Sequence, residues 1–265
     1  MHLSLFLISA LVASLGTIAG FGGGVFLVPI MVMAFQVPIS HAIGVTALSL
    51  FPASLLSTLV NLKNKNIDFK LMLALELPTL LGAVLGARLT SLVPTKPLEF
   101  VFAGFLIFLS WRLFRPRLNS GHVSQTIRKL NSFEPALRSA SYRVSFFAAT
   151  LFGLLAGVLA GLFGIGGGIL KTPIMLQVFN VPVRIATGTA LCMIVFTSLG
   201  SGLTHWQLGH VTPSLLLPCA SGFLAGALFG QLLGIRLTDN AITKTVGFSI
   251  ALAGAAVLVH AALAL

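Results

Sequence analysis

Charge is what this chain has least of. Of its 265 residues, 8% are Asp, Glu, Lys or Arg, against about 25% in a soluble domain. Acidic residues are the scarcer kind: Asp68, Glu76, Glu99, Glu134 and Asp239 are all there are, and four of them sit in loops or at segment ends. That shortage excludes chemistry built on paired carboxylates. HExxH, GxSxG and cysteine–histidine clusters at ligand spacing are also missing. The sequence therefore predicts no enzyme, no catalytic residue, no metal site and no cofactor. Cysteine is nearly absent too: Cys192 and Cys219 lie in apolar segments without a CxxC pattern, and are read as buried free thiols.

What fills the chain is apolar: 57% of residues are hydrophobic and the mean hydropathy is +1.04. Long apolar segments argue for membrane-spanning helices rather than a barrel, so the expected fold is all-α and polytopic, with the lipid bilayer as partner. A net charge of +11 raises nucleic acid as a partner. Lys and Arg gather instead in short loops and one linker, as cytoplasmic loops require, and no nucleic acid is expected. The first twenty residues lack the basic start of a signal peptide and are followed by no polar mature domain; they are read as a retained membrane helix.

Apolar segments run over 3–20, 24–36, 41–60, 70–92 and 98–114, then over 144–164, 168–180, 185–207, 212–236 and 242–264. A shift of 144 lays the second set on the first without a gap, and sixteen of the forty positions from Gly20 to Leu59 are identical under it. Matches include Gly22–Gly24 with Gly166–Gly168, Pro29-Ile30-Met31 with Pro173-Ile174-Met175, Ser54 with Ser198, and Ser57 with Ser201. This is an internal duplication: a repeat over 1–114, a basic linker over 115–143 and a second repeat over 144–265. The second segment of each half has about 13 residues, roughly 20 Å of helix against a hydrocarbon core of ~30 Å. It is predicted to be a broken or re-entrant arm beside four full helices. With the linker in the cytoplasm and five segments per half, the repeats are inverted, and Lys63, Lys65, Lys70, Arg184, Arg236 and Lys244 all fall inside. Within the linker, 123–137 has the composition of a surface helix or a plain basic connector.

Three consecutive glycines open each short arm: Gly22, Gly23 and Gly24, and Gly166, Gly167 and Gly168. A glycine run breaks a helix, at about 1 kcal/mol per residue relative to alanine, and a membrane tolerates broken backbone only where protein or a water-lined cavity satisfies it. The two turns are expected to meet and bind an anion through amides at the positive ends of helices. Close helix packing through small residues is the alternative use of such glycines. Lys171, whose counterpart is Leu27, lies one turn further on; a cation so deep binds substrate, snorkels, or pairs with Glu76. Glu76 is a coupling group for a proton or simply that partner. Ser54 and Ser57, and Ser198 and Ser201, share helix faces and either orient an oxyanion or bond back to their own helices. Thr46 and Thr189 are weaker candidates. His205, expected in an external loop with His210, is a candidate pH-responsive group.

At Gly161-Leu162-Phe163-Gly164-Ile165-Gly166-Gly167-Gly168 followed by Pro173, the chain resembles the sulfite exporter TauE/SafE family of bacterial membrane permeases. The copy around Gly20–Pro29 is weaker, having Thr17-Ile18-Ala19-Gly20 in place of the fuller run. Ala186-Thr187-Gly188-Thr189-Ala190 followed by Phe196-Thr197-Ser198 is similar to that family's next block. The resemblance covers essentially the whole chain and implies transport of a small sulfur-containing anion, such as sulfite or sulfoacetate, across the cell inner membrane. An alternating-access carrier is expected. An anion channel using the same turns and a membrane scaffold subunit are the alternatives. The coupling ion (H+ among the choices) and any homo-oligomer are not read from the sequence.

Overall fold

The computed structural model describes residues 2–92, 104, 132–133, 142, 144–242, 244–245 and 248. The expected fifth segments, 98–114 and 242–264, lie mostly outside them. Eight helices carry the described fold: α1 (His2–Ala19), α2 (Gly24–Phe35), α3 (Ile39–Lys63), α4 (Phe69–Leu92), α5 (Phe146–Phe163), α6 (Gly168–Gln177), α7 (Val183–Gln207) and α8 (Pro213–Arg236). Six of them, all but α2 and α6, are long and apolar enough to cross a membrane. The protein is a polytopic all-α membrane protein. In the linker, Ser132–Phe133 pairs antiparallel with Val144–Ser145. Of the two readings of 123–137, the surface helix does not hold at 132–133, where the backbone is extended and bonded to the start of the second half.

The duplication reaches the backbone. Adding 144 to the bounds of α1, α3 and α4 reproduces those of α5, α7 and α8 to the residue, and α6 starts where α2 predicts. Pro38 and Pro182 stand at the N-caps of α3 and α7 with φ −53° and −55°; without an N–H, proline is suited to the edge of a helix and not its middle. All ten described residues with positive φ form five pairs at the same spacing: Gly20/Gly164, Gly22/Gly166, Gly23/Gly167, Gln36/Asn180 and Lys65/Gly209. Both halves thus bend their chain at the same places.

Packing pairs the halves crosswise. α1 lies along α8, α5 along α4, and α3 along α7. Glycines let these backbones touch: a Cβ on Gly157 would lie 2.1 Å from Thr79 O and one on Gly161 1.9 Å from Ala83 O, while one on Gly226 would lie 2.1 Å from Ala10 O. Without a hydrophobic drive between helices in lipid, such close approach is what holds them together. The opposite face of α4 presents Leu73, Leu77, Leu81, Leu85 and Leu89 outward. This i, i+4 seam would be an aggregation hazard in water and is ordinary against acyl chains.

The contacts also sort the helix ends. At one end Asp68 N, ahead of α4, donates to Thr189 Oγ1 near the start of α7 (3.0 Å), and Arg184 reaches Leu237 O just past α8 (2.7 Å). That end holds Lys63, Lys65, Lys70, Arg184 and Arg236, and is called the basic end below. At the other, the histidine end, His41 of α3 meets Thr212 ahead of α8 (2.9 Å), and Thr90 of α4 donates to Leu162 O of α5 (3.1 Å).

Candidate functional site

The two glycine turns meet in the middle of the molecule. After α1 the chain folds back on itself: Phe21 N and Gly22 N both donate to Gly16 O (2.8 and 3.0 Å), and a Cβ on Gly23 would lie 2.4 Å from Val12 O. Gly23 and Gly167 take left-handed conformations at the N-caps of α2 and α6, and neither receives a side-chain cap. A Cβ on Gly168 would lie 2.6 Å from Phe21 Cα and 3.0 Å from Gly20 O; one on Gly24 would lie 3.3 Å from Gly164 O. Thr172 Oγ1 completes the crossing by donating to Gly20 O (3.0 Å).

Apolar side chains cover this crossing. Leu50 of α3 and Ile194 of α7, themselves 144 apart, pack on Gly22, Gly166 and Gly168, and every turn glycine is buried. The expected half-sites are adjacent, but here they are shut from water by one aliphatic side chain from each half.

Lys171 is 1% exposed and does not snorkel. Its Nζ donates to Glu76 Oε2 (2.6 Å) and contacts Thr197 Oγ1 (2.9 Å), and Thr197 in turn bonds the other oxygen of Glu76. Of the roles open to Lys171, pairing with Glu76 is the one taken. The ammonium also borders the second glycine turn, 3.5 Å from where a Cβ on Gly167 would stand. Thr197 is the residue that sequence reasoning missed. Its signal was available: Lys171, Glu76 and Thr197 correspond to Leu27, Ala220 and Ala53, so each of the three polar groups has an apolar counterpart in the duplication.

The serines are mostly spoken for. Ser54, Ser57 and Ser198 donate to Phe51 O, Ala53 O and Val195 O of their own helices, the back-bonding that competes with any external role. Ser201 Oγ is buried without a partner. Thr189 accepts from Asp68 N and ties α7 to the start of α4. Asp68 also caps α4 through Lys70 N and Leu71 N and accepts from Tyr142 Oη (2.6 Å); burial, with Asp68 beside it, pushes the Tyr142 phenol up. His205 is not in a loop. It lies in the last turn of α7, fully buried, with Nε2 2.9 Å from Gly161 O and Nδ1 3.2 Å from His210 Nδ1. The expectation failed because the polar residues around Trp206 read as a loop, whereas α7 continues to Gln207.

A separate cavity of about 260 Å³ opens at the basic end, bordered by Thr17, Asn61, Asn66, Arg184, Thr187 and Gln231 among others. None of its wall had been expected to bind anything.

Comparison with known proteins gives this architecture a lineage. Residues 5–257 match the family model described as Sulfite exporter TauE/SafE. The chain belongs to that family. Among its TauE/SafE relatives, the probable membrane transporter protein YunE of Bacillus subtilis is 30% identical over 254 residues, covering 91% of this chain and 90% of its own. The probable membrane transporter protein YdhB of the same organism is 31% identical over 219 residues, covering 82% and 84%. Sulfite exporter TauE/SafE family protein 2 of Arabidopsis thaliana is 30% identical over 139 residues, covering 52% of this chain and 29% of its own. No solved structure matches the chain. The coarse function that follows from the TauE/SafE frame is membrane transport.

Proposed function

We propose that this chain carries a small anion, a sulfur oxyanion or organosulfonate such as sulfite or sulfoacetate, across the cell inner membrane by alternating access. In this reading the halves are inverted repeats. The basic end faces the cytoplasm, as the positive-inside rule requires, and the halves rock about the glycine crossing. The observation that carries it is the meeting of two uncapped helix N-termini at mid-molecule. The first amides of a helix have no intrahelical partner, and paired broken helices are how many carriers hold an anion between repeats. Leu50 and Ile194 then mark a closed state, and movement of α3 against α7 withdraws them. Lys171, held by Glu76 and Thr197, places a cation beside the turn without leaving it unpaired, and a proton taken by Glu76 would release it.

The test is uptake of radiolabelled sulfoacetate and sulfite into liposomes containing only the purified chain. Saturable flux that a gradient of the cold anion accelerates in exchange supports a carrier. Flux that never saturates points to a channel, and flux of neither anion removes the substrate assignment.

A further inference from the structure

The cavity at the basic end has a chemical character that the glycine crossing lacks. Its wall brings together one guanidinium, four side-chain amides and two hydroxyls: Arg184, Asn61, Asn64, Asn66, Gln231, Thr17 and Thr187. Among the described residues no Asp or Glu lines it. Arg184 is anchored by two of its donors, Nε to Asp239 Oδ1 (2.7 Å) and Nη2 to Leu237 O (2.7 Å). A guanidinium has five N–H groups in a planar fork, so three lie beyond those bonds. Asn61 is 6% exposed and its Nδ2 donates to Ser57 O (2.9 Å) and Gln231 Oε1 (3.3 Å). Gln231 thereby spends its acceptor on Asn61 and keeps its NH2 as a donor. Donors in excess, one fixed cation and no carboxylate in the wall are what a small oxyanion requires.

The fold does not by itself produce this lining, because the equivalent positions 144 residues away carry other side chains. There Arg184 corresponds to Ser40, Gln231 to Ala87 and Thr187 to Ile43, while Asn61 and Asn66 correspond to His205 and His210. Those rings bond each other and Gly161 O, and His210 O comes within 2.4 Å of where a Cβ on Gly44 would stand. The same architectural position borders a polar cavity at one end and holds two bonded rings at the other.

We infer that the cavity at the basic end is an anion-binding vestibule, distinct from the glycine crossing, in which Arg184 with the NH2 of Gln231, which Asn61 orients, takes a small sulfonate or sulfur oxyanion. The inference deepens the transport reading and rests on it for the choice of ligand class. At about 260 Å³ the space is below the range of drug-sized pockets and suits an anion of a few heavy atoms with its waters.

Binding is measured apart from transport: titration calorimetry of sulfoacetate and sulfate on the purified chain in nanodiscs, with flux followed in liposomes. Arg184→Gln is expected to weaken binding by about tenfold or more, the scale of one lost charge-assisted hydrogen bond. Gln231→Leu, which leaves the Arg184 anchor intact, is expected to weaken it by several-fold. Asp239→Asn, which removes the carboxylate competing for Arg184, is expected to tighten it. Wild-type affinity in both Arg184→Gln and Gln231→Leu overturns the vestibule while leaving transport standing, as does failure of the wild-type chain to bind either anion. Binding that follows the expected order in a chain without flux leaves the vestibule and overturns the transport reading.

Discussion

Asn61 and Asn66 border an open polar cavity at the basic end, and 144 positions later His205 and His210 fill the corresponding place at the other. The backbones match to the residue; the side chains border a polar cavity at one end and bring two rings together at the other. In a molecule built twice from one plan, such differences show where the copies have taken different tasks. The same holds deeper down, where Lys171, Glu76 and Thr197 form a buried polar cluster drawn from both copies, whose counterparts 144 positions away are Leu27, Ala220 and Ala53.

The largest expected effect comes from erasing the deep difference halfway. Lys171→Leu gives the second copy the first copy's residue but strands the Glu76 charge, and should cost about 3–5 kcal/mol. Adding Glu76→Ala and Thr197→Ala, which completes the imitation, should recover most of that loss in detergent unfolding. If the single variant is as stable as the triple, the cluster is not an obligate pair.

Next in size is Gly161→Thr, which installs the residue that position 17 carries. At Gly161 a Cβ overlaps Ala83 O, so overpacking of about 1–3 kcal/mol is expected. The reverse change, Thr17→Gly, removes a buried side chain near the end of α1 and should cost about 1 kcal/mol, the common size of a single substitution. Comparing the two melting points tests whether closure at the histidine end depends on that close approach.

A third effect is a matter of pH. Burial, and after it the neighbouring His41, hold the His210 imidazole below its ordinary value of about 6.5. A lowered folded value means that the contribution of neutral His210 is complete above the ordinary histidine range. It is lost as pH falls through the lowered value. Among the described residues, the groups facing the pair are His41 of α3, Gly161 O of α5 and the two rings themselves. Acid should therefore loosen the histidine end and leave the basic end unchanged. Ser40→Cys, in a chain with Cys192 and Cys219 replaced by Ala, should be several-fold more accessible at pH 5 than at pH 8, read as its labelling rate divided by that of the unfolded chain at the same pH, because the reacting thiolate is scarcer in acid.

The smallest change is predicted for His205→Asn with His210→Asn, which copies the asparagines of the basic end. That variant should show one labelling rate, relative to the unfolded chain at the same pH, across the pH range. A surviving pH dependence would move the switch elsewhere.

Much of this frame was legible beforehand. Glycine and proline report backbone conformation directly, so the repeat, the short arms and the breaks at Gly22–Gly24 and Gly166–Gly168 could be read from spacing alone. That the turns meet followed from the need to satisfy broken backbone in lipid. Side-chain allegiance was harder. A serine pair on one helix face reads the same whether it serves a ligand or its own carbonyls, and Ser54, Ser57 and Ser198 chose the latter. Asn61 and Gln231 were missed because each is an unremarkable polar residue near a helix end; they matter only because α3 and α8 bring them together across 170 positions.

The crosswise packing of α1 on α8 and α5 on α4 bears on how the chain is made. As the ribosome delivers helices in turn, α1 enters the bilayer with its glycine-bearing neighbour almost the whole length of the polypeptide away. It must wait there with its contact face toward lipid until Gly222, Gly226 and Gly230 emerge. Severed halves would each lack the docking groove for one of their own helices, and neither should mature alone, whereas the two fragments synthesised together in one cell should find each other.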